Sequence, residues 1–381
     1  MAICLYCGKE FNKEEMTREH VIPQVIGGNI HESNPFIIEN VCKRCNNTAG
    51  IFIDGIFAKQ FLVKNKIDTL NSRYTDLNKN QYIPLSYMGK LKDFEFEGKI
   101  CEFWLGPTGD VIYHFHDPYK DKLGIPMIGK PTYIKPSEID QGYVFLYIVS
   151  NNPIWQTTVV NSVKITFAKS EIYLGNGSHE VCSIFSEIPK ELNLLHDILN
   201  EKVKQKNELE FSTSLHANDR FIFKTVLGMG GVFLKDEFIL NEEADRLRKA
   251  MWGKTNDEIK DLEVSGSSFY TEKNESLDKY LSMNNCHLIA LIRIDGGIAI
   301  HISLFGDMSS TVMLTKKSDL LKANINDFGI VYVIAPGLNK CIGPIDLENF
   351  IGYKNDCGGD KRLYDLEAEI NNVPELPPHM I

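Results

Sequence analysis

The sequence has no run of eighteen or more apolar residues, so nothing in it reads as a membrane span. Its opening, MAICLYCGKE, lacks the basic and apolar stretches of a secretory signal. A cytoplasmic location is therefore expected. Basic residues are not in excess: 41 Lys and Arg stand against 51 Asp and Glu, a formal net charge of −10. That balance argues against a protein that coats nucleic acid non-specifically. Internal repeats and low-complexity tracts are also missing. The glycine-rich stretch VLGMGG at 226–231 lacks the Lys-Ser/Thr that would complete a phosphate-binding P-loop. It reads as a place where a helix packs closely.

What is present fits a soluble globular protein, with 43% hydrophobic and 24% charged residues. A length of 381 residues suits two or three domains. The acidity is uneven. Residues 1–66 are nearly neutral, and the excess acid lies beyond them, notably from Asp346 to Glu375. Nine cysteines in a cytoplasmic chain do not suggest a disulfide framework. Four of them form two CxxC pairs, Cys4/Cys7 and Cys42/Cys45. The other five, Cys101, Cys182, Cys286, Cys341 and Cys357, read as small buried hydrophobes.

The expected fold class is α+β: a small N-terminal domain over 1–66, a polar linker over 67–83, and a larger mixed region over 84–381 with a break near 186–210. A helix is predicted from Asn47 to Lys64, with Ile53, Ile56, Phe57 and Phe61 on one apolar stripe. From Ile83 to Phe185 the pattern is strand-like, with YVFLYIVS, TTVVNSVKITFA and EIYL the clearest strands. Helices are predicted over Lys190–Lys206, over NDRFIFKTVLGMGGVFL and over NEEADRLRKAMWG, the last ending at Gly253. HLIALIRID and IAIHISLF read as a hairpin across a Gly-Gly turn, continued by STVMLTK and GIVYVIAP. The tail NNVPELPPHMI reads as irregular.

Two CxxC knuckles separated by 34 residues can supply the closed thiolate shell of a structural zinc. A unit of this size buries little, so a metal staple is physically sensible. Between the knuckles lies EHVIPQVIGG, residues 19–28, and after the second comes CNNTAGIFID. The order CxxC, acidic-His-Val-Ile-Pro, Gly-Gly, CxxC-Asn, Gly, Asp resembles the HNH endonuclease family in its zinc-stapled ββα-metal form. The resemblance covers about the first 60 residues.

The resemblance implies a divalent-metal phosphodiesterase acting on DNA, which such a head grips by its backbone. Carried over, His20 is the general base, and Glu19 and Asn46 hold a catalytic Mg²⁺ or Mn²⁺. Cys4, Cys7, Cys42 and Cys45 hold the structural zinc. Oxygen ligands suit Mg²⁺ or Mn²⁺. Asn34, fourteen residues after His20, is expected to orient the histidine ring, with Asn40 the alternative. Two features depart from the family pattern or strain it. Gly50 stands where a second histidine ligand is usual, and Asn47 or Asp54, seven apart and so on nearly one helix face, is expected to compensate. Glu19 and His20 point to opposite faces of a regular strand, so a kink or bulge is needed to bring both to one site. Lys43 and Arg44, at the knuckle tip, are candidate phosphate contacts.

In YHFHD, His114 and His116 would share a strand face beside Asp117, and an exposed strand edge is the reading. His301 reads as a buried, satisfied histidine, and NDCGGDKR as a loop without a second zinc site. The acidic body has no recognisable catalytic set. It is expected to gate the head by sensing a partner protein or a nucleotide signal, as in regulated antiviral defence nucleases, and an oligomer is compatible with this. The alternative is a non-catalytic zinc-stabilised module for nucleic-acid binding or protein contacts. Membrane partners are not expected.

Overall fold

The computed structural model describes all residues except 29, 31–33, 75–81, 121–134, 140–141, 177–184, 211–212, 261, 263, 265, 270–274, 318–327 and 373–381. The chain separates into two compact units. One joins Met1–Ala58 to Ser214–Val373, and the other is built mainly from Lys59–Thr213. The fold class is mixed α+β, as expected. Among the described residues no helix is long and apolar enough to cross a membrane.

The N-terminal head begins with a minimal hairpin, β1 (Ala2–Ile3) against β2 (Glu10–Phe11), whose loop carries the first CxxC. Strand β3 (Met16–His20) pairs antiparallel with β4 (Ile37–Cys42), and the register shifts between Thr17 and Glu19. Strand β4 runs directly into helix α1 (Lys43–Ala49). A single π-helical turn, Gly50–Asp54, joins α1 to the short α2 (Gly55–Ala58). The helix predicted over 47–64 is therefore one wide-turned element that starts earlier and stops at Ala58. Ile53 and Phe57 of its apolar stripe are buried as expected, while Phe61 opens the next helix.

The second unit starts with α3 (Phe61–Tyr74). This helix runs through residues 67–74 of the segment read as a linker; 75–81 lie outside the described residues. A six-stranded sheet follows, from β5 (Ser86–Phe96), β6 (Lys99–Leu105), β7 (Val111–His116), β8 (Tyr143–Tyr147), β9 (Glu171–Asn176) and β10 (Leu209–Glu210). The order is β10-β5-β6-β7-β8-β9, antiparallel except for the parallel pair β8–β9. That parallel step needs a crossover, and helix α4 (Pro153–Thr166) provides it. The expectation of a strand over TTVVNSVKITFA is thus corrected. Pro153 opens the helix and the Asn152 side chain accepts from the Ile154 N–H, a regular helix start that outweighs the β-branched residues. Val159, Val160 and Val163 pack with Ile112, Val144 and Leu146 on one sheet face. Helix α5 (Asn193–Lys202) covers the other through Leu195 and Leu199, against Tyr113, Phe115 and Phe145.

Beyond residue 213 the first unit resumes with α6 (Leu215–Ile239), interrupted at Lys235 (φ 55°, ψ −140°), and α7 (Glu242–Trp252). Strands β11 (His287–Ile294), β12 (Gly297–Leu304), β13 (Met308–Thr315), β14 (Gly329–Ala335) and β15 (Lys340–Asp346) form an antiparallel sheet in the order β13-β12-β11-β14-β15. The predicted hairpin β11–β12 and its continuation are present. Helices α8 (Leu347–Lys354) and α9 (Lys361–Asn371) cover one face through Phe350, Leu363 and Leu366, packed on Leu288, Val331 and Val333.

Of the scattered cysteines, Cys101 and Cys286 are buried as expected and Cys341 is half-buried. Cys357 is exposed, because it sits in the turn after α8, and Cys182 lies outside the described residues. His301 is buried and satisfied, with Nδ1 against Thr311 Oγ1 at 2.8 Å and Nε2 against the Leu281 carbonyl at 2.9 Å.

Candidate active site

The four knuckle cysteines converge. The sulfurs of Cys4, Cys7, Cys42 and Cys45 all lie within 4.8 Å of one another. The first knuckle is closed by backbone bonds, Cys4 N–H to Lys9 O at 2.9 Å and Gly8 N–H to Cys4 O at 2.8 Å. The Cys42 N–H donates to Cys4 Sγ at 3.3 Å, and the Cys4 thiol is lowered to about 5, with the Cys45 thiol as the largest cause. Four soft donors on two tight turns fit a structural zinc, and this set is closed by its own count. Zinc binding here would hold β1–β2 to the β4–α1 junction.

The register of the β3–β4 pair shifts before the acidic-His pair, where Glu39 and Asn40 of β4 together face Arg18; Glu19 and His20 themselves pair regularly, opposite Ile38 and Ile37. Asn46, on the second turn of α1, fastens the shifted stretch: its amide nitrogen donates to Thr17 Oγ1 and to the Arg18 carbonyl, both at 3.0 Å. Both acceptors fix the amide's orientation, since the Arg18 carbonyl can only accept.

Glu19 turns inward. Its Oε1 accepts from the Tyr6 hydroxyl at 3.0 Å and lies 2.7 Å from the ammonium of Lys224. Lys224 also reaches Asp54 Oδ2 at 2.9 Å and the His20 carbonyl at 3.2 Å. Lys224 itself is fully buried. Two carboxylates therefore share one ammonium, and Asp54 Oδ1 is buried without a hydrogen-bond partner. Burial pushes the Asp54 carboxyl up to about 6, against the pull of Lys224. The Tyr6 hydroxyl is pushed up by burial and by Glu19 and Asp54.

His20 is half-buried, with Nε2 3.2 Å from the Gln24 side-chain amide. Its Nδ1 is buried and has no hydrogen-bond partner. Asn34 does not orient this ring. It donates to the Gly28 carbonyl and accepts from the Phe36 N–H, both at 2.9 Å, and so closes the loop between the strands. Gln24, four residues after His20, stands in its place. Asn47 is exposed whereas Asp54 is buried. The wide π turn between them breaks the common face that seven-residue spacing implies. Lys43 and Arg44 are both exposed at the start of α1.

Lys224 reaches the head because of one face of α6. Phe221 stacks on Phe57, with centroids 3.8 Å apart and planes at 6°. One turn on comes Lys224; one further turn on, a Cβ on Gly228 would stand 2.6 Å from a Val21 methyl. The glycines of VLGMGG are thus a close-packing surface, as expected from the sequence. From α7, Arg248 Nε donates to the Leu5 carbonyl at 2.7 Å and Trp252 Nε1 to the Tyr6 carbonyl at 2.8 Å. The His287 ring lies on the Ile26 carbonyl, accepts from the Phe305 N–H through Nδ1, and is pushed down to about 4 by burial. The signal for Lys224 was in the sequence: a lone lysine in an apolar helix must have a partner. Tyr6 and Gln24 carried no comparable signal.

Residues 4–62 match the HNH endonuclease family. The HNH match coincides with the zinc-fit knuckles, the bulged β3–β4 pair and the start of the helix. No curated protein and no solved structure matches the chain. A nuclease-type head is therefore the coarse functional statement that holds.

Proposed function

We propose that the protein is an HNH-type endonuclease that hydrolyses phosphodiester bonds of DNA with Mg²⁺ or Mn²⁺. Its head is read as residues 1–66, and the chain beyond it as the gating, partner-binding part. The observation that carries this reading is the His20 ring, tethered at Nε2 by Gln24 and unpartnered at Nδ1. Turning the Gln24 amide so that its oxygen accepts from Nε2–H leaves Nδ1 as the bare nitrogen. Nδ1 is buried in this state, so it would take the proton from the attacking water after the ring turns it toward the substrate. Oxygen donors suit a hard divalent ion, and the ligands in this reading are the Asn46 side-chain oxygen, the Glu19 carboxylate, and Asp54, whose Oδ1 has no hydrogen-bond partner, or Asn47. Such an ion would offset charge on the phosphate and the leaving oxygen. Lys43 and Arg44 would meet the phosphate backbone, which positions the head without specifying sequence.

The Lys224 ammonium supports regulation. It neutralises Glu19 from inside the unit, so a shift of α6 would change the charge available to a cation. A partner protein or nucleotide signal acting on the body is the trigger in this reading, in keeping with a defence role. A second reading, a zinc-stabilised nucleic-acid-binding module without catalysis, is favoured by the same ion pair, because Glu19 Oε1 is already taken by Lys224 and Tyr6. The two separate on linear duplex DNA followed in parallel for retardation and for strand scission, with and without a chelator. Chelator-sensitive scission supports the nuclease; retardation without scission at any metal supports the binding module.

A further inference from the structure

The second unit holds a cluster that the nuclease reading leaves untouched. Expected at an exposed strand edge, His114 and His116 are instead 0% and 1% exposed, because β7 is an inner strand covered on that face by α4. Phe167, at the end of α4, lies 4.6 Å from the His114 ring, centroid to centroid. The partner that sequence could not supply is Glu102, 1% exposed on the neighbouring strand β6 and directly opposite His114 in the register. Residues 114 and 116 share a face by the two-residue period of a strand, so cross-strand pairing brings three ligating side chains together.

We propose that Glu102, His114 and His116 form a second, buried metal site that takes a zinc-class divalent ion. One ligand atom from each lies within 4.8 Å of the others. Glu102 Oε2 is 3.8 Å from His114 Nδ1 and 3.6 Å from His116 Nε2. These separations are too long for hydrogen bonds. They lie close to the edge of a tetrahedron drawn with zinc–N and zinc–O bonds, about 3.3–3.6 Å. The far ring edges are held as in ligating histidines. His116 Nδ1 is 2.7 Å from the Asp117 carbonyl, an acceptor only, so Nδ1 carries the proton and Nε2 faces Glu102 bare. His114 Nε2 lies 3.2 Å from Ser170 Oγ. The carboxylate is held too: Tyr119 donates to Oε1 at 2.8 Å and Trp104 Nε1 to Oε2 at 3.2 Å. His116 Nε2 is buried and makes no hydrogen bond among the described residues. A buried lone pair aimed at a carboxylate oxygen it does not bond is unfavourable, and a cation between them removes the cost. Two imidazoles and one carboxylate are a borderline donor set that suits zinc rather than Mg²⁺ or Ca²⁺. Its burial makes the site structural, a rivet across β6 and β7. An enclosed water or the buried Tyr119 hydroxyl would complete the shell, since no other His, Cys, Asp or Glu among the described residues joins it.

The test is metal content of the full chain by plasma mass spectrometry after growth with zinc and exhaustive desalting. Wild type should carry two zinc ions per chain, one for each cluster. His116→Gln and Glu102→Gln should each lose one, while Cys42→Ser should leave the second site loaded. Cobalt-loaded Cys42→Ser protein should keep d–d absorption that adding His116→Gln to the same chain abolishes. Equal zinc in wild type and in a His116→Gln chain with unchanged circular dichroism would overturn the proposal. So would a wild type that takes up no more than the ion lost on Cys42→Ser, a result that does not depend on how the histidine variant folds.

Discussion

Replacing Lys224 by Met removes the ammonium that offsets Glu19 and Asp54, where the lysine side chain is 0% exposed and the two acids 6% and 12%. Methionine fills a similar volume, so the main effect is two carboxylates left in a dry site. Breaking one partner out of a buried ion pair costs about 3–5 kcal/mol. For a unit of this size that corresponds to a fall of roughly 6–20 °C in melting temperature. The loss depends on pH with a definite sign. Asp54 already sits at about 6 with Lys224 present, and without the ammonium its carboxyl moves further up. A carboxyl whose folded pKa exceeds its unfolded one favours the fold while protonated, and that contribution is lost as pH rises through the folded pKa. The destabilisation should be full at pH 8 and much reduced at pH 5. Adding Glu19→Gln and Asp54→Asn to Lys224→Met should recover most of the stability, since a neutral network has no unpaired charge. Thermal melts of the three proteins at both pH values measure this. A Lys224→Met loss below about 1 kcal/mol, or one equal at pH 5 and pH 8, would refute a buried, charge-coupled triad.

Further consequences follow from the same unit. His287 is neutral in the fold and held near 4, against 6.5 when free, so the unfolded chain binds its proton first. The fold should lose about 3 kcal/mol from this group as pH falls from 6.5 to 4, and His287→Gln should flatten that limb of the stability profile. Gly228→Val should push α6 off Val21 and destabilise by about 1–3 kcal/mol in chemical denaturation, whereas exposed Gly50→Ala, with open space at its Cβ, should not. Cys45→Ser should release the knuckle zinc, and proteolysis should then cut within residues 1–58 before the rest of the unit.

The parts legible in sequence were those whose signal is local. The CxxC spacing, the apolar runs of β11, β12 and β14, and the glycine at the end of α7 all lie within a few residues of what they determine. Helix α4 reads as a strand from its β-branched density, whereas Asn152-Pro153, the start signal, makes it a helix. What could not be read was pairing at long range. His114 needed Glu102 from another strand, and Glu19 needed a lysine 205 residues later, on a helix that its glycines bring close. Asn34 failed as the ring-orienting residue because its amide fits the loop it closes, a geometry that spacing does not encode.

The central claim, that Glu19-His20 is the working edge of a nuclease, is tested most directly on supercoiled plasmid. Wild type and His20→Ala are compared with Mg²⁺, with Mn²⁺ and with EDTA, at equal protein and confirmed folding. The account predicts that wild type converts plasmid to nicked or linear forms only with added metal, and that His20→Ala lowers the rate by at least about 10²-fold. Metal-dependent cutting that His20→Ala leaves unchanged would contradict it.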